Sequence, residues 1–383
     1  MKILVLGSYY SPNLGDGVIC ICTAEKLRQM FPAAEVIIED VLDRKEFDPG
    51  IENKIEFLKK RRNRQKLREI ATKYFHWDKV FSSHQFGLQA NWEHIEQIGN
   101  QSWDIVVFAG GQLFMDSYGL IVAEYLEYFN KQNTPVFFHA MGTGPSDSKK
   151  IQDILKNALT LDCVKMISSR DNVDKIRTVY KQQAKVTFDP ALDSSNVFQI
   201  TKKKDADTIG LGMMFTNSIS TEKAVKFWIE LIRELNRQGH KWKIFVNGSL
   251  SDVAFARYVV SVMPELKKPL EAYMVSVPGT PDELIKTVSQ FRSLISFRLH
   301  SHIIAASLDI PSIAVVWDEK LNFFMEKIGC KERCCQVTEK PVQILEKLSS
   351  AEKQGYDREF LEKQVQYADC LLKKKINTVI ENG

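Results

Sequence analysis

The chain has no run of about 18 uninterrupted apolar residues, the length a helix needs to cross a bilayer; Asp309 and Pro311 break the longest stretch that approaches it. Neither sign of charge is in excess: 52 Lys and Arg stand against 48 Asp and Glu, and a net charge of +4 is too even to mark a nucleic-acid binder. The fingerprint G-x-G-x-x-G is missing from the loop after the first apolar run, so no dinucleotide site is indicated. That run, M-K-I-L-V-L-G, is too short for the core of a signal peptide and reads as a buried strand. Cys20, Cys22, Cys163, Cys330, Cys334, Cys335 and Cys370 are an odd number of cysteines in a long chain without an export signal, which favours reduced thiols, a soluble protein and a cytoplasmic location. Cys330, Cys334 and Cys335 have no nearby His or second Cys pair to complete four ligands, so buried thiols and no metal are expected.

What is present is an ordinary globular composition, 44% hydrophobic and 26% charged over 383 residues, long enough for two domains. Apolar runs alternate with helical patterns. A-E-V-I-I-E-D-V, W-D-I-V-V-F-A, P-V-F-F-H-A-M, V-K-M-I-S-S and K-V-T-F-D follow the first run as strands of one open sheet, which defines a domain over 1–198. Residues 199–207 are charged and aperiodic and read as a linker. A second series, from T-I-G-L-G-M-M through K-W-K-I-F-V-N-G, A-Y-M-V-S-V-P-G and S-L-I-S-F-R-L-H to C-C-Q-V-T, defines 208–355, and 356–383 reads as a helix packing back on the first domain. The expected fold is α/β, two doubly wound, Rossmann-like domains facing a central cleft. A charged insertion, 43–103, contains F-L-K-K-R-R-N-R-Q-K-L-R; it is either a solvated helix face or a basic surface for an anionic acceptor or a membrane.

Ligands of such sheets meet the carboxyl ends of the strands, and polar residues gather there: Asn13, Asp16, Gly110, Gly111, His139, Arg170 and Asp189 in the first half, Asn247, Arg298, His300, Asp318 and Lys320 in the second. Arg298 and His300 are two apart, which on an extended strand points them to one side, and Ser301 reads as the N-cap of the following helix. A guanidinium beside a helix start suits phosphate or carboxylate. Arg170 is a second candidate, with adjacent Asp171 as an alternative partner. Asp16 at a helix start disfavours phosphate and suits hydroxyls, unless it is simply a cap. Gly110 and Gly111 allow close approach of a ligand or of a packed helix.

These residues lie in motifs that resemble the polysaccharide pyruvyltransferase family: N-L-G-D, F-A-G-G-Q-L-F, S-S-R-D, F-D-P-A-L and, most specifically, F-R-L-H-S-H-I-I-A-A-S-L-D-I-P-S-I-A-V-V-W-D-E-K-L-N-F-F-M-E-K-I-G. The resemblance covers most of the chain except the basic insertion and the tail. It implies a GT-B-like fold and transfer of a pyruvyl group from phosphoenolpyruvate to two hydroxyls of a sugar as a cyclic ketal, with phosphoenolpyruvate a co-substrate rather than a cofactor. The family's basic donor-binding positions fall on Arg170 and Arg298, beside His300, and Lys320 assists. His300 is expected to be the acid, kept protonated by nearby anions, and Asp16 to bind or deprotonate acceptor hydroxyls. The chain departs from the family pattern with Gln112 in place of a third glycine and Trp317 in place of a Tyr. The implied partners are phosphoenolpyruvate and a sugar of a bacterial surface polysaccharide or its lipid-pyrophosphate-linked precursor, met at the inner face of the membrane. A GT-B glycosyltransferase using a nucleotide sugar and a non-catalytic scaffold in envelope glycan assembly are the alternatives.

Overall fold

The computed structural model describes residues 1–48, 79–171, 173–216 and 218–382. The basic run containing Lys59, Lys60, Arg61 and Arg62 lies outside them, so its expected membrane role has no structural account here. Among the described residues no helix is long and apolar enough to cross a membrane.

Two all-parallel sheets organise the chain. The first comprises β1 (Lys2–Gly7), β2 (Glu35–Asp40), β3 (Ile105–Ala109), β4 (Val136–Met141), β5 (Val164–Ser169) and β6 (Lys185–Val186), in the order β2-β1-β3-β4-β5-β6. The second comprises β7 (Thr208–Gly212), β8 (Lys241–Phe245), β9 (Ser293–Ser296), β10 (Ser312–Val315) and β11 (Cys334–Cys335), in the order β11-β10-β9-β7-β8. All residues of β3, β4, β9 and β10 are buried, which is why, His139 of β4 apart, they are continuous apolar or small runs rather than alternating ones. The strand order reverses at β1/β3 and at β7/β9, and the loops leaving these strands border a crevice. Asn13 and Asp16 follow β1, Gln112 follows β3, and Arg298 follows β9.

One expected strand is not formed. A-Y-M-V-S-V-P-G makes only a single bridge, Met274 to Ile244, at the edge of the second sheet. Its two backbone bonds run from Ile244 N to Tyr273 O and from Val275 N to Ile244 O. Pro278, with no N–H to donate, follows too soon for a longer ladder.

Helix Leu14–Met30 joins the halves. Leu14, Val18, Ile19 and Cys22 pack with Leu284, Ile285, Leu299 and Ile303 of the second half, while Cys20, Ala24 and Leu27 pack with Ile3 and Val5 of β1. This explains why V-I-C-I-C lacks a polar face: the helix is covered on two sides. The helix Arg358–Asn382 crosses back to the first sheet, burying Leu372 and Ile376 with Ile3, Val5 and Phe137. Lys26 pairs with both Asp193 and Asp369 beneath it.

Candidate functional site

Helix Leu299–Ser307 begins immediately after β9, and this early start corrects the expected geometry of R-L-H. Arg298 itself occupies the cap position and His300 lies in the first helical turn, so they are not neighbours on one strand face. Ser301 is one residue further in; fully buried, its hydroxyl donates to Asn247 Oδ1 at 3.0 Å and it is not on the cavity wall. The expected cap and ligand roles of Ser301 are therefore not met: a helix that starts at Leu299 turns its third residue inward.

Arg298 and His300 nonetheless line one chamber of about 370 Å³ together with Asn13, Asp16, Arg170 and Lys320. Arg170 and Arg298, from different sheets, thus share a single cavity. Gln112, Ser8, Tyr118 and Trp317 complete much of its wall. Gly110 and Gly111 are not on it: with φ of 48° and 71° they turn the chain after β3 so that Gln112 reaches the chamber. Gly110 also makes room for helix Leu14–Met30, since a Cβ there would come within 2.6 Å of Ile19 Cγ2, whereas Gly111 faces open space.

Each cation of the chamber already holds a carboxylate. Asp252, fully buried, accepts from Arg298 Nε at 3.0 Å and from Nη2, and from the N–H of Phe215 at 3.0 Å. This uses one edge of the guanidinium and leaves Nη1 for the chamber. Burial pushes the Asp252 carboxyl up, and Arg298 opposes that shift. Asp189 accepts from Arg170 Nη1, and Lys320 lies 3.2 Å from Asp318. Lys320 Nζ also donates to Gln112 Oε1 at 3.1 Å and lies 5.0 Å from the centre of the Trp317 ring.

Arg170 Nη1 lies 3.2 Å from His300 Nε2. A guanidinium only donates, so Nε2 accepts and the imidazole carries its proton on Nδ1. Burial lowers the His300 pKa to about 4, and Arg170 pushes the same way against Asp189. The protein's own carboxylates thus do not hold the imidazole protonated: withdrawal from water outweighs them. Gly15 lies against this ring, where a Cβ would come within 2.2 Å of His300 Cγ and Nδ1. At the start of helix Leu14–Met30, Asn13 Nδ2 donates to Asp16 Oδ2 at 3.3 Å, and the buried Asn13 Oδ1 has no partner among the described residues. Tyr118 and Ser8 share a hydroxyl bond of 3.0 Å.

Three contributors carry no signal in the sequence. Asp252 reads there only as the start of a helix, and Gln112 only as a departure from a glycine. Lys327 stands at the end of the longest family motif with no role of its own to be read from it. In the fold it crosses to the first half, donates to Thr187 O and to Arg170 O at 3.4 Å, and sits 4.0 Å over the Phe188 ring. Burial lowers its pKa to about 8. His139, one of the strand-end residues, is buried away from the chamber with its pKa lowered to about 4.

The fold is shared with solved structures. A UDP-GlcNAc 2-epimerase from Neisseria meningitidis bound to UDP-GlcNAc is 13% identical, with a TM-score of 0.56 over 100% of both chains. A putative UDP-N-acetylglucosamine 2-epimerase from Listeria monocytogenes is 10% identical, with a TM-score of 0.58 over 100% of this chain and 97% of the other. A UDP-GlcNAc 2-epimerase from Methanocaldococcus jannaschii is 10% identical, with a TM-score of 0.52 over 92% and 93%. At such identities the likeness establishes a GT-B-like fold and nothing about substrate. No curated protein matches the chain in sequence. The family model described as Polysaccharide pyruvyl transferase matches residues 13–319, from the Asn13 loop to the start of the helix carrying Lys320. The chain belongs to the polysaccharide pyruvyl transferase family.

Proposed function

We propose that this chain transfers the pyruvyl group of phosphoenolpyruvate to two hydroxyls of a sugar, and that the chamber holding Arg170, Arg298, His300 and Lys320 is the donor site. The observation that carries this reading is the meeting of three cations from both halves with Asn13 and Asp16 in one cavity of about 370 Å³. A donor bearing both phosphate and carboxylate suits cations on opposite walls, each charge-assisted bond contributing on the order of 1.5–3 kcal/mol. Arg298 offers its free Nη1 edge and Lys320 its ammonium. Arg170, buried and engaged with Asp189 and His300, holds the imidazole as much as it holds the donor.

The acceptor hydroxyl attacks C2 of phosphoenolpyruvate while a proton is added to the methylene carbon. Phosphate then leaves with the C2–O electron pair, and the second hydroxyl closes the ketal and gives up its own proton. A His300 that begins neutral takes the acceptor hydroxyl's proton at Nε2 as Arg170 Nη1 turns from that nitrogen to the bound donor, and delivers it to carbon. Asp16, with Asn13, orients the hydroxyl pair and accepts the second proton. The acceptor belongs to a surface polysaccharide or its lipid-linked precursor.

Mass spectrometry of sugar acceptors incubated with phosphoenolpyruvate is expected to show a pyruvyl ketal and inorganic phosphate. Arg298→Ala is expected to abolish the product while the fold survives; near-normal turnover in that variant would remove Arg298 from the donor site. Thermal-shift screening separates the alternatives: stabilisation by UDP but not by phosphoenolpyruvate points to a nucleotide-sugar transferase, and by neither to a scaffold.

A further inference from the structure

Beyond the bond from Lys320 to Gln112 the cleft continues into a second cavity of about 550 Å³. Among the described residues only these two side chains line both cavities, so a contact between the halves of the molecule forms the wall between them. Gln112 is fixed from behind, its Nε2 donating to Thr143 O at 3.1 Å. On the outer wall stands Phe323, half-buried and packed against none of the apolar clusters among the described residues. A ring left out of the core forgoes apolar burial; Lys327 Nζ lies over one of its faces, 5.6 Å from the centre, and the opposite face suits the C–H face of a pyranose. Around it lie Asn322, Asp318 and Lys175, groups of mixed charge that suit hydroxyls better than a polyanion.

We infer that the outer cavity is the acceptor site for a neutral pyranoside, stacked on Phe323, with Asn322 and Asp318 on its hydroxyls. The reactive hydroxyl pair passes the Gln112–Lys320 wall toward Asp16. The anionic groups of the donor compete for the same Lys320 ammonium, so a bound donor opens this wall. The inference rests on the pyruvyl transfer proposed above.

The test titrates the full chain with phosphoenolpyruvate by calorimetry. In parallel, methyl glycosides of glucose, galactose, mannose and their 2-acetamido forms, and methyl glucuronide, are followed by saturation-transfer NMR. At least one neutral glycoside is expected to bind more tightly than the glucuronide, and more tightly still when phosphoenolpyruvate is present. In Phe323→Ala glycoside affinity is expected to fall about tenfold while affinity for phosphoenolpyruvate, which reports an intact fold, stays within about twofold. A glycoside that binds wild type and Phe323→Ala equally overturns the site, as does donor binding with no glycoside binding at all. Glycoside binding through Phe323 without any response to phosphoenolpyruvate leaves the sugar site standing and removes the donor reading; binding of neither removes both.

Discussion

His300 shows how burial and charge compete at a single residue. Facing Asp189 across 3.8 Å, its ring would be expected to hold a proton, yet burial sets its pKa near 4. His139 and His302 are held near 4 for the same reason. A folded pKa below the ordinary value of 6.5 means that the unfolded chain binds more protons between the two. Stability from these groups is therefore complete above 6.5 and is lost as pH falls through 4. Urea unfolding is expected to show a lower midpoint at about pH 5 than at about pH 7, and His300→Gln to reduce the pH slope by about one proton. An unchanged slope in that variant would mean that His300 is already charged in the fold. An anionic donor adds negative charge beside this ring and raises its pKa, which brings proton transfer within reach of neutral pH.

At the scale of the element, helix Leu14–Met30 is the piece on which the chamber is built. Its first turn carries Asp16 and sets Gly15 against His300, while its apolar faces are buried on both sides. Gly15 is not needed for helix formation, since alanine is the better helix former by about 1 kcal/mol. It is needed for space. Gly15→Ala is expected to displace the His300 ring and lower kcat/KM for transfer about 100-fold, with secondary structure by circular dichroism unchanged. Wild-type turnover in Gly15→Ala would show that the ring's position does not matter to the reaction. Helix Leu299–Ser307 plays the matching part in the second half, and Asp252 keeps Arg298 turned toward the chamber from its cap position.

At the scale of the whole molecule, two sheets are held as one body by a shared apolar core and by the crossing helix Arg358–Asn382. Ile376 is fully buried against β1, far along the chain from the residues it touches. Ile376→Ala is expected to cost about 2–4 kcal/mol in urea unfolding without changing affinity for phosphoenolpyruvate. A cost below about 1 kcal/mol would show that this helix is not part of the core. Lys327 adds a polar tie, since its ammonium reaches carbonyls of the opposite half.

The sequence by itself determined the strands except over A-Y-M-V-S-V-P-G, because residues buried on both faces of a parallel sheet must be apolar in unbroken runs, and it placed Asn13, Asp16, Arg170, Arg298, His300 and Lys320 at strand ends. Its motifs were also specific enough to indicate the family. It did not show that R-L-H begins a helix at Leu299, that Ser301 turns inward, or that Gly110 is the glycine that makes room for Ile19. Nor did it reveal Asp252, Gln112 and Lys327, whose partners lie 46, 208 and about 140 to 157 positions away. Local patterning records which face of an element is apolar. The pairing of charges across a cleft, and the protonation that burial imposes on them, exist only once distant segments have packed, and that was decided by the tertiary structure alone.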